Sequence, residues 1–131
     1  MIYVLDAHAL TTFLEQEPGY ERVEELLTAA ATSGRALLMT AVNWGEVYYV
    51  VHRSHGSEQA QRVVETVDTF PIDIVDVDLV LAKHAALLKV THRLPYADCF
   101  AAALAKQRKA TLVTGDRDFK QVEAAIPIVW L

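Results

Sequence analysis

Asp6, Glu46, Asp98 and Asp116 are the residues whose type and placement suit chemistry. Asp6 ends the apolar run Ile2-Tyr3-Val4-Leu5, and Asp116 ends the run Thr111-Leu112-Val113 with its turn Thr114-Gly115. Both runs read as buried strands, so both carboxylates fall at strand carboxyl ends, where open α/β folds gather ligands. Glu46 lies four residues from both Val42 and Val50, which places it on the apolar face of a helix. An unpaired charge is costly to bury there. Glu46 is therefore part of a polar centre, half of a buried ion pair, or a residue at the margin of a slightly rotated helix. Asp98 precedes Ala101, Ala102 and Ala105 at helical spacing, a small-residue face suited to packing on a sheet. Three residues after Pro95, it is equally placed to complement a helix dipole.

If these four carboxylates converge to about 5 Å, each pair repels by roughly 3 kcal/mol at an effective dielectric near 20. Either some acids take up protons or a cation enters, and an all-oxygen donor set selects hard ions such as Mg²⁺ or Mn²⁺. Such a centre suits phosphodiester hydrolysis without a separate protein nucleophile. The sequence contains no P-loop, no glycine-rich dinucleotide fingerprint and no Cys or His spacing of a zinc site.

The elements that must position these acids are legible from hydrophobic periodicity. Leu10, Phe13 and Leu14 have helical spacing until Pro18-Gly19 interrupts, and Val23, Leu26, Leu27 and Ala30 resume it as far as Gly34. Ala36 to Met39 reads as a second strand. Thr40 then caps a helix with Val42, Glu46, Val47, Val50 and Val51 on one side, stopping near Gly56. Ser57 opens another helix with Ala60, Val63, Val64 and Val67, and Ile72 to Val75 is a third strand. Asp76 or Asp78 starts a helix carrying Leu79, Ala82, Ala86 and Leu87, and Pro95 stands in the first turn of an alanine-rich helix. Thr111 to Val113 and Ile128 to Leu131 supply the fourth and fifth strands. This alternation predicts an α/β fold, a three-layer α/β/α sandwich around a parallel sheet of about five strands.

Bulk properties agree with one domain spanning residues 1–131. A hydrophobic fraction of 53 % with 22 % charged residues suits a globular core. No apolar stretch suggests a membrane span, and the single cysteine, Cys99, fits a small buried hydrophobe and a reducing cytoplasm. The net charge of −5 is unfavourable for contact with nucleic acid unless the acids are concentrated at one cation-binding site.

The sequence resembles the PIN-domain nucleases, and within them the VapC-like toxins of type II toxin–antitoxin pairs. The resemblance runs through Val4-Leu5-Asp6-Ala7, Thr40-Ala41-Val42-Asn43-Trp44-Gly45-Glu46-Val47, Leu94-Pro95-Tyr96-Ala97-Asp98-Cys99-Phe100-Ala101-Ala102-Ala103 and Leu112-Val113-Thr114-Gly115-Asp116-Arg117-Asp118-Phe119. It implies a PIN-like fold, a metal-dependent endoribonuclease using Mg²⁺ or Mn²⁺, a homodimer, an RNA substrate and a small VapB-like antitoxin partner. It also implies that Asp6, Glu46, Asp98 and Asp116 are the metal-binding acids and that Thr114 supports them. Asp118 is either a further ligand or a solvent-facing loop acid. Arg93 and Arg117, close to proposed ligands, are either phosphate grips or ordinary surface residues. Trp44 with Tyr48 or Tyr49 suits base stacking or core packing.

One position departs from the family pattern. Many relatives carry a small hydroxyl or amide residue two places after the first Asp, and this chain has His8, a phosphate contact or a filler. His8 also weakens a competing reading as an aspartyl phosphatase, whose pattern needs a second acid there. A further alternative is a degenerate domain that binds metal, RNA or an antitoxin without cleavage.

Overall fold

Tyr3–Leu5 (β1) can be apolar on both faces because it lies in the middle of a sheet covered on both sides. The computed structural model describes all 131 residues. Around β1 run α1 (Ala7–Leu14), α2 (Tyr20–Ser33), β2 (Leu37–Thr40), α3 (Ala41–Val67), β3 (Ile72–Val75), α4 (Leu79–Thr91), α5 (Tyr96–Arg108), β4 (Thr111–Thr114), a 3₁₀ turn (Arg117–Val122) and β5 (Ile128–Trp130). The sheet order is β3-β2-β1-β4-β5 and every pairing is parallel. The chain winds from β1 to one edge through β2 and β3, then returns to add β4 and β5 on the other side. Strand order therefore reverses between β1 and β4, the place where parallel sheets open a crevice at their carboxyl ends.

Alternate strand residues feed two cores. Val4, Leu38 and Leu112 join α4 and α5 on one face, together with Phe119, Val122 and Ile126. Leu5, Met39 and Val113 join α1, α2 and α3 on the other. This is the three-layer sandwich read from the sequence, with no strand boundary shifted by more than one residue. The 3₁₀ turn was not foreseen, because a single turn is too short for a periodic signal.

Local chemistry sets the boundaries. Asp6, Thr40 and Asp78 cap α1, α3 and α4 by accepting backbone N–H groups from Ala9, Asn43 and Leu81. Gly34, at φ 73°, closes α2 in the left-handed conformation, and Gly56, at φ 88° and ψ 170°, breaks α3 where the break was expected.

One helix face differs from expectation. Of the residues Leu79, Ala82, Ala86 and Leu87 from which the helix is read, only Ala82 packs against the core, and α4 buries Leu81, Ala85 and Leu88 instead. Leu79, Ala86 and Leu87 are exposed, with Val80 and Val90 beside them. The segment is apolar all round, so spacing alone does not choose between overlapping stripes.

In α5 every residue from Cys99 to Ala105 is buried, and its alanines let the helix sit close to both sheet and α4. Enlarging one of them has no room to occupy. Ala102→Leu is expected to destabilise the fold by about 1–3 kcal/mol, and Ala86→Leu on exposed α4 to stay within about 0.5 kcal/mol. Urea denaturation compares them, and equal midpoints would contradict this packing.

Candidate active site

Asp6 follows directly from β1 and is only 2 % exposed. Its two oxygens are both used: Oδ1 accepts the Ala9 N–H at 2.8 Å, and Oδ2 accepts the Thr114 hydroxyl at 2.5 Å. One oxygen thus caps α1 and the other ties β1 to the end of β4. Thr114 Oγ1 in turn accepts the Asp116 N–H at 3.0 Å, and Asp116 Oδ1 accepts the Asp118 N–H at 3.0 Å. Asp116 and its turn are held by a short chain of hydrogen bonds that starts from Asp6.

A second chain holds the other two acids. Thr40 ends β2 and caps α3, its hydroxyl donating to Asn43 Oδ1 and accepting the Asn43 N–H. Asn43 Nδ2 donates to Glu46 Oε1 at 3.0 Å and to the Ala97 carbonyl at 3.1 Å. Ala97 immediately precedes Asp98, so one fully buried amide orients Glu46 and fastens α3 to the first turn of α5. Sequence reasoning quoted Asn43 within a motif and gave it no role. A polar residue three places after a helix cap and three before a candidate acid was the available signal.

Asp98 Oδ2 is buried and has no hydrogen-bond partner. Burial first, then repulsion from Asp116, Glu46 and Asp118, raises the Asp98 carboxyl to about 7. Burial also dominates at Asp6, opposed by the bonds from Thr114 and Ala9 and reinforced by Asp98 and Asp116, and brings it to about 7. The acids therefore share one electrostatic neighbourhood at the carboxyl ends of β1, β2 and β4. As the side chains stand, no three of them form a ready-made cage for an ion. The unpartnered Asp98 oxygen and the all-carboxylate surroundings fit the chemistry of a hard divalent cation.

The remaining candidates separate. Asp118 is exposed and adds to the repulsion felt by Asp98. The exposed Arg117 lays its guanidinium 4.7 Å from the Trp130 ring centroid. Arg93 is exposed, and its N–H donates to Gln121 Oε1, while Gln121 Nε2 donates to the Asp118 carbonyl. Trp44 and Tyr48 stack on each other and pack on the core, whereas Tyr49 is exposed with Arg53 over its ring. Cys99 is buried beside Asp98, and burial pushes its thiol up. Two cavities, of about 570 and 490 Å³, lie elsewhere, one at the amino end of the sheet by Tyr3 and Leu37, the other between α4 and α5.

The raised carboxyls have a consequence for stability. The folded protein holds protons on Asp6 and Asp98 that the unfolded chain has released, so rising pH between about 4 and 7 favours unfolding. In EDTA, Tm is expected to fall by on the order of 5 °C from pH 5 to pH 7.5 and then level off. The fall should shrink in Asp6→Asn and in Asp98→Asn. Calorimetry across this range checks it, and the same fall in parent and both variants would refute the assignment.

Comparison with known proteins extends the match. The PIN domain family model covers residues 3–125. Ribonuclease VapC30 of Mycobacterium tuberculosis is 29 % identical over 129 residues, covering 93 % of this chain and 95 % of the relative. VapC ribonuclease Mb0640 of Mycobacterium bovis matches to the same extent. VapBC2 from Rickettsia felis, solved bound to a DNA fragment from its promoter, superposes with a TM-score of 0.79 at 21 % identity, over 100 % of this chain and 99 % of that one. VapC20 of Mycobacterium tuberculosis, a sarcin-ricin loop cleaving toxin, gives 0.72 at 14 % identity, over 92 % and 94 %. Identities this low speak for the fold alone, whereas the family model spans nearly the whole sequence, and on that match the chain belongs to the PIN domain family.

Proposed function

We propose that this chain is a metal-dependent endoribonuclease, the toxin of a VapBC-type pair. The observation that carries the reading is the convergence of Asp6, Glu46, Asp98 and Asp116 on the strand-order reversal, with a buried Asp98 oxygen left unpartnered. The curated relatives named above are ribonucleases, which supports RNA as the substrate class.

Asp6, Glu46, Asp98 and Asp116 would hold Mg²⁺ or Mn²⁺, with Asp118 within reach as a further acid. The cation, when bound, supplies positive charge against the phosphodiester and makes water acidic enough to attack near neutral pH. The protein's part is orientation. Thr114 fixes Asp6 and the Asp116 turn, and Asn43 fixes Glu46 relative to Asp98. Arg117, steadied on Trp130, and Arg93, whose backbone N–H meets Gln121 beside the Asp118 loop, would contact RNA phosphates.

An antitoxin partner is part of the same reading, supported by a structural neighbour from Klebsiella pneumoniae that is a toxin–antitoxin complex. A homodimer is supported by the exposed apolar residues Leu79, Val80, Leu87 and Val90 along α4. No helix is long and apolar enough to cross a membrane, in keeping with action in the cytoplasm.

Two experiments test this. Purified protein is expected to cleave members of a panel of single-stranded and structured RNAs with Mg²⁺ or Mn²⁺ and to lose cleavage in EDTA. Asp98→Asn should lower turnover by about a hundredfold or more while staying folded. Equal cutting by parent and variant would assign the activity to a contaminant, and no cutting by the parent would favour a domain that only binds. Light scattering should show a dimer that Leu87→Arg shifts toward monomer, whereas a monomeric parent would remove the self-association surface.

A further inference from the structure

His8 is the residue that departs from the family pattern, and its place in the fold is specific. It lies in the first turn of α1, two residues after Asp6, and its imidazole packs against the turn Thr114-Gly115-Asp116, 107 residues away in sequence. His8 Nδ1 accepts the Gly115 N–H at 3.2 Å and lies 3.3 Å from the hydroxyl of buried Thr12. An N–H only donates, so Nδ1 carries no proton when this bond is made and the neutral ring holds its proton on Nε2.

Gly115 is shaped to receive the ring. Its φ is not positive, so the backbone there would accept any residue. A Cβ at Gly115, however, would stand 2.5 Å from His8 Cε1, 3.0 Å from Nδ1 and 3.3 Å from Nε2. The missing side chain is a matter of space rather than of backbone conformation. Because His8 is exposed, an added methyl would swing the ring outward and break the Gly115 bond instead of unfolding the chain.

We propose that His8 is a positioning residue that pins the Asp116-bearing turn against the Asp6-bearing helix through Gly115. The Asp6–Thr114 bond fixes one side of this turn and the His8–Gly115 bond fixes the next residue along, so Asp116 leaves the strand from two anchored points. The proposal rests on the reading of Asp116 as a member of the metal centre.

The test compares His8→Ala, His8→Asn, Gly115→Ala and the His8→Ala/Gly115→Ala double variant with the parent. Mn²⁺ affinity by calorimetry, RNA turnover and hydrogen exchange of the amide at position 115 are read at a temperature where all five are folded. His8→Ala and Gly115→Ala should each weaken Mn²⁺ binding and turnover by about tenfold, the effect of losing one ordinary hydrogen bond. The double variant should be no worse than either single one, because both remove the same bond. Asn Oδ1 stands near the position of His Nδ1, so His8→Asn should recover to within about threefold of the parent. Exchange at position 115 should be fast in His8→Ala and slow again in His8→Asn. Nitrogen NMR of the parent should show Nδ1 unprotonated.

Losses that multiply in the double variant, an unchanged His8→Ala, or a protonated Nδ1 at neutral pH would overturn the proposal. If the parent cuts no RNA, the nuclease reading fails, and Mn²⁺ affinity with exchange at position 115 still decides the role of His8. If the parent also binds no Mn²⁺, the proposal falls as well.

Discussion

Gathering carboxylates at one end of a sheet, in surroundings dry enough to raise Asp6 and Asp98 to about 7, is the constraint that organises this molecule. Like charges in a low-dielectric crevice repel, and each also loses hydration. Acids under that load do not stay in place by side-chain preference alone. Hydrogen bonds between elements hold them, Thr114 to Asp6 across β1 and β4 and Asn43 to the α5 backbone, and local ones orient the rest, Asn43 to Glu46 and the Asp118 N–H to Asp116. Asp98 alone has a buried oxygen with no partner, and three other carboxylates, Asp116, Glu46 and Asp118, press on it.

The rest of the fold follows from bringing these segments together. Parallel strands that are apolar on both faces align the carboxyl ends of β1, β2 and β4, and the order reversal beside β1 leaves the crevice open. Asp98 does not follow a strand and has to be delivered by a helix. The alanines of α5 let that helix approach the sheet closely, and the Asn43–Ala97 bond sets how far along its axis it sits. Packing thus fixes the direction of Asp98 while a single buried amide fixes its register. Asp6 serves both levels at once, since the same carboxylate caps α1 and faces the other acids.

What was legible in the sequence was what neighbouring residues decide. Apolar runs ending in Asp6 and at the Thr114 turn marked the strand ends, the cap at Thr40 marked one helix start and Asp76 or Asp78 another, and Gly56 marked the break in α3. The face of α4 was misread because its residues are apolar on all sides, and which stripe is buried depends on where α5 lies. The links that hold the centre were not legible either. Thr114 to Asp6, Gly115 to His8 and Asn43 to Ala97 join residues 108, 107 and 54 positions apart, and no local period records such pairs. The resemblance to relatives pointed to Thr114, yet neither it nor spacing singled out Asn43, whose importance comes from being buried among three polar partners, Thr40, Glu46 and the Ala97 carbonyl.

The acidic net charge, awkward for a protein that meets RNA, resolves when it is located. Setting aside Asp6, Glu46, Asp98, Asp116 and Asp118 leaves 12 acidic residues against 12 Lys and Arg, so the whole imbalance of −5 belongs to the centre and its rim. The remaining chain is formally neutral and carries no general repulsion toward a polyanion. At the centre, protons taken up by Asp6 and Asp98 near neutral pH remove part of the charge, and a divalent cation would offset more of it. Under the proposed function, phosphate affinity would depend on what the carboxylates hold and would not be a standing property of the surface. Under the same proposal Arg117 and Arg93 fit this arrangement, since two cations beside the centre would orient a phosphate without drawing nucleic acid to the rest of the molecule.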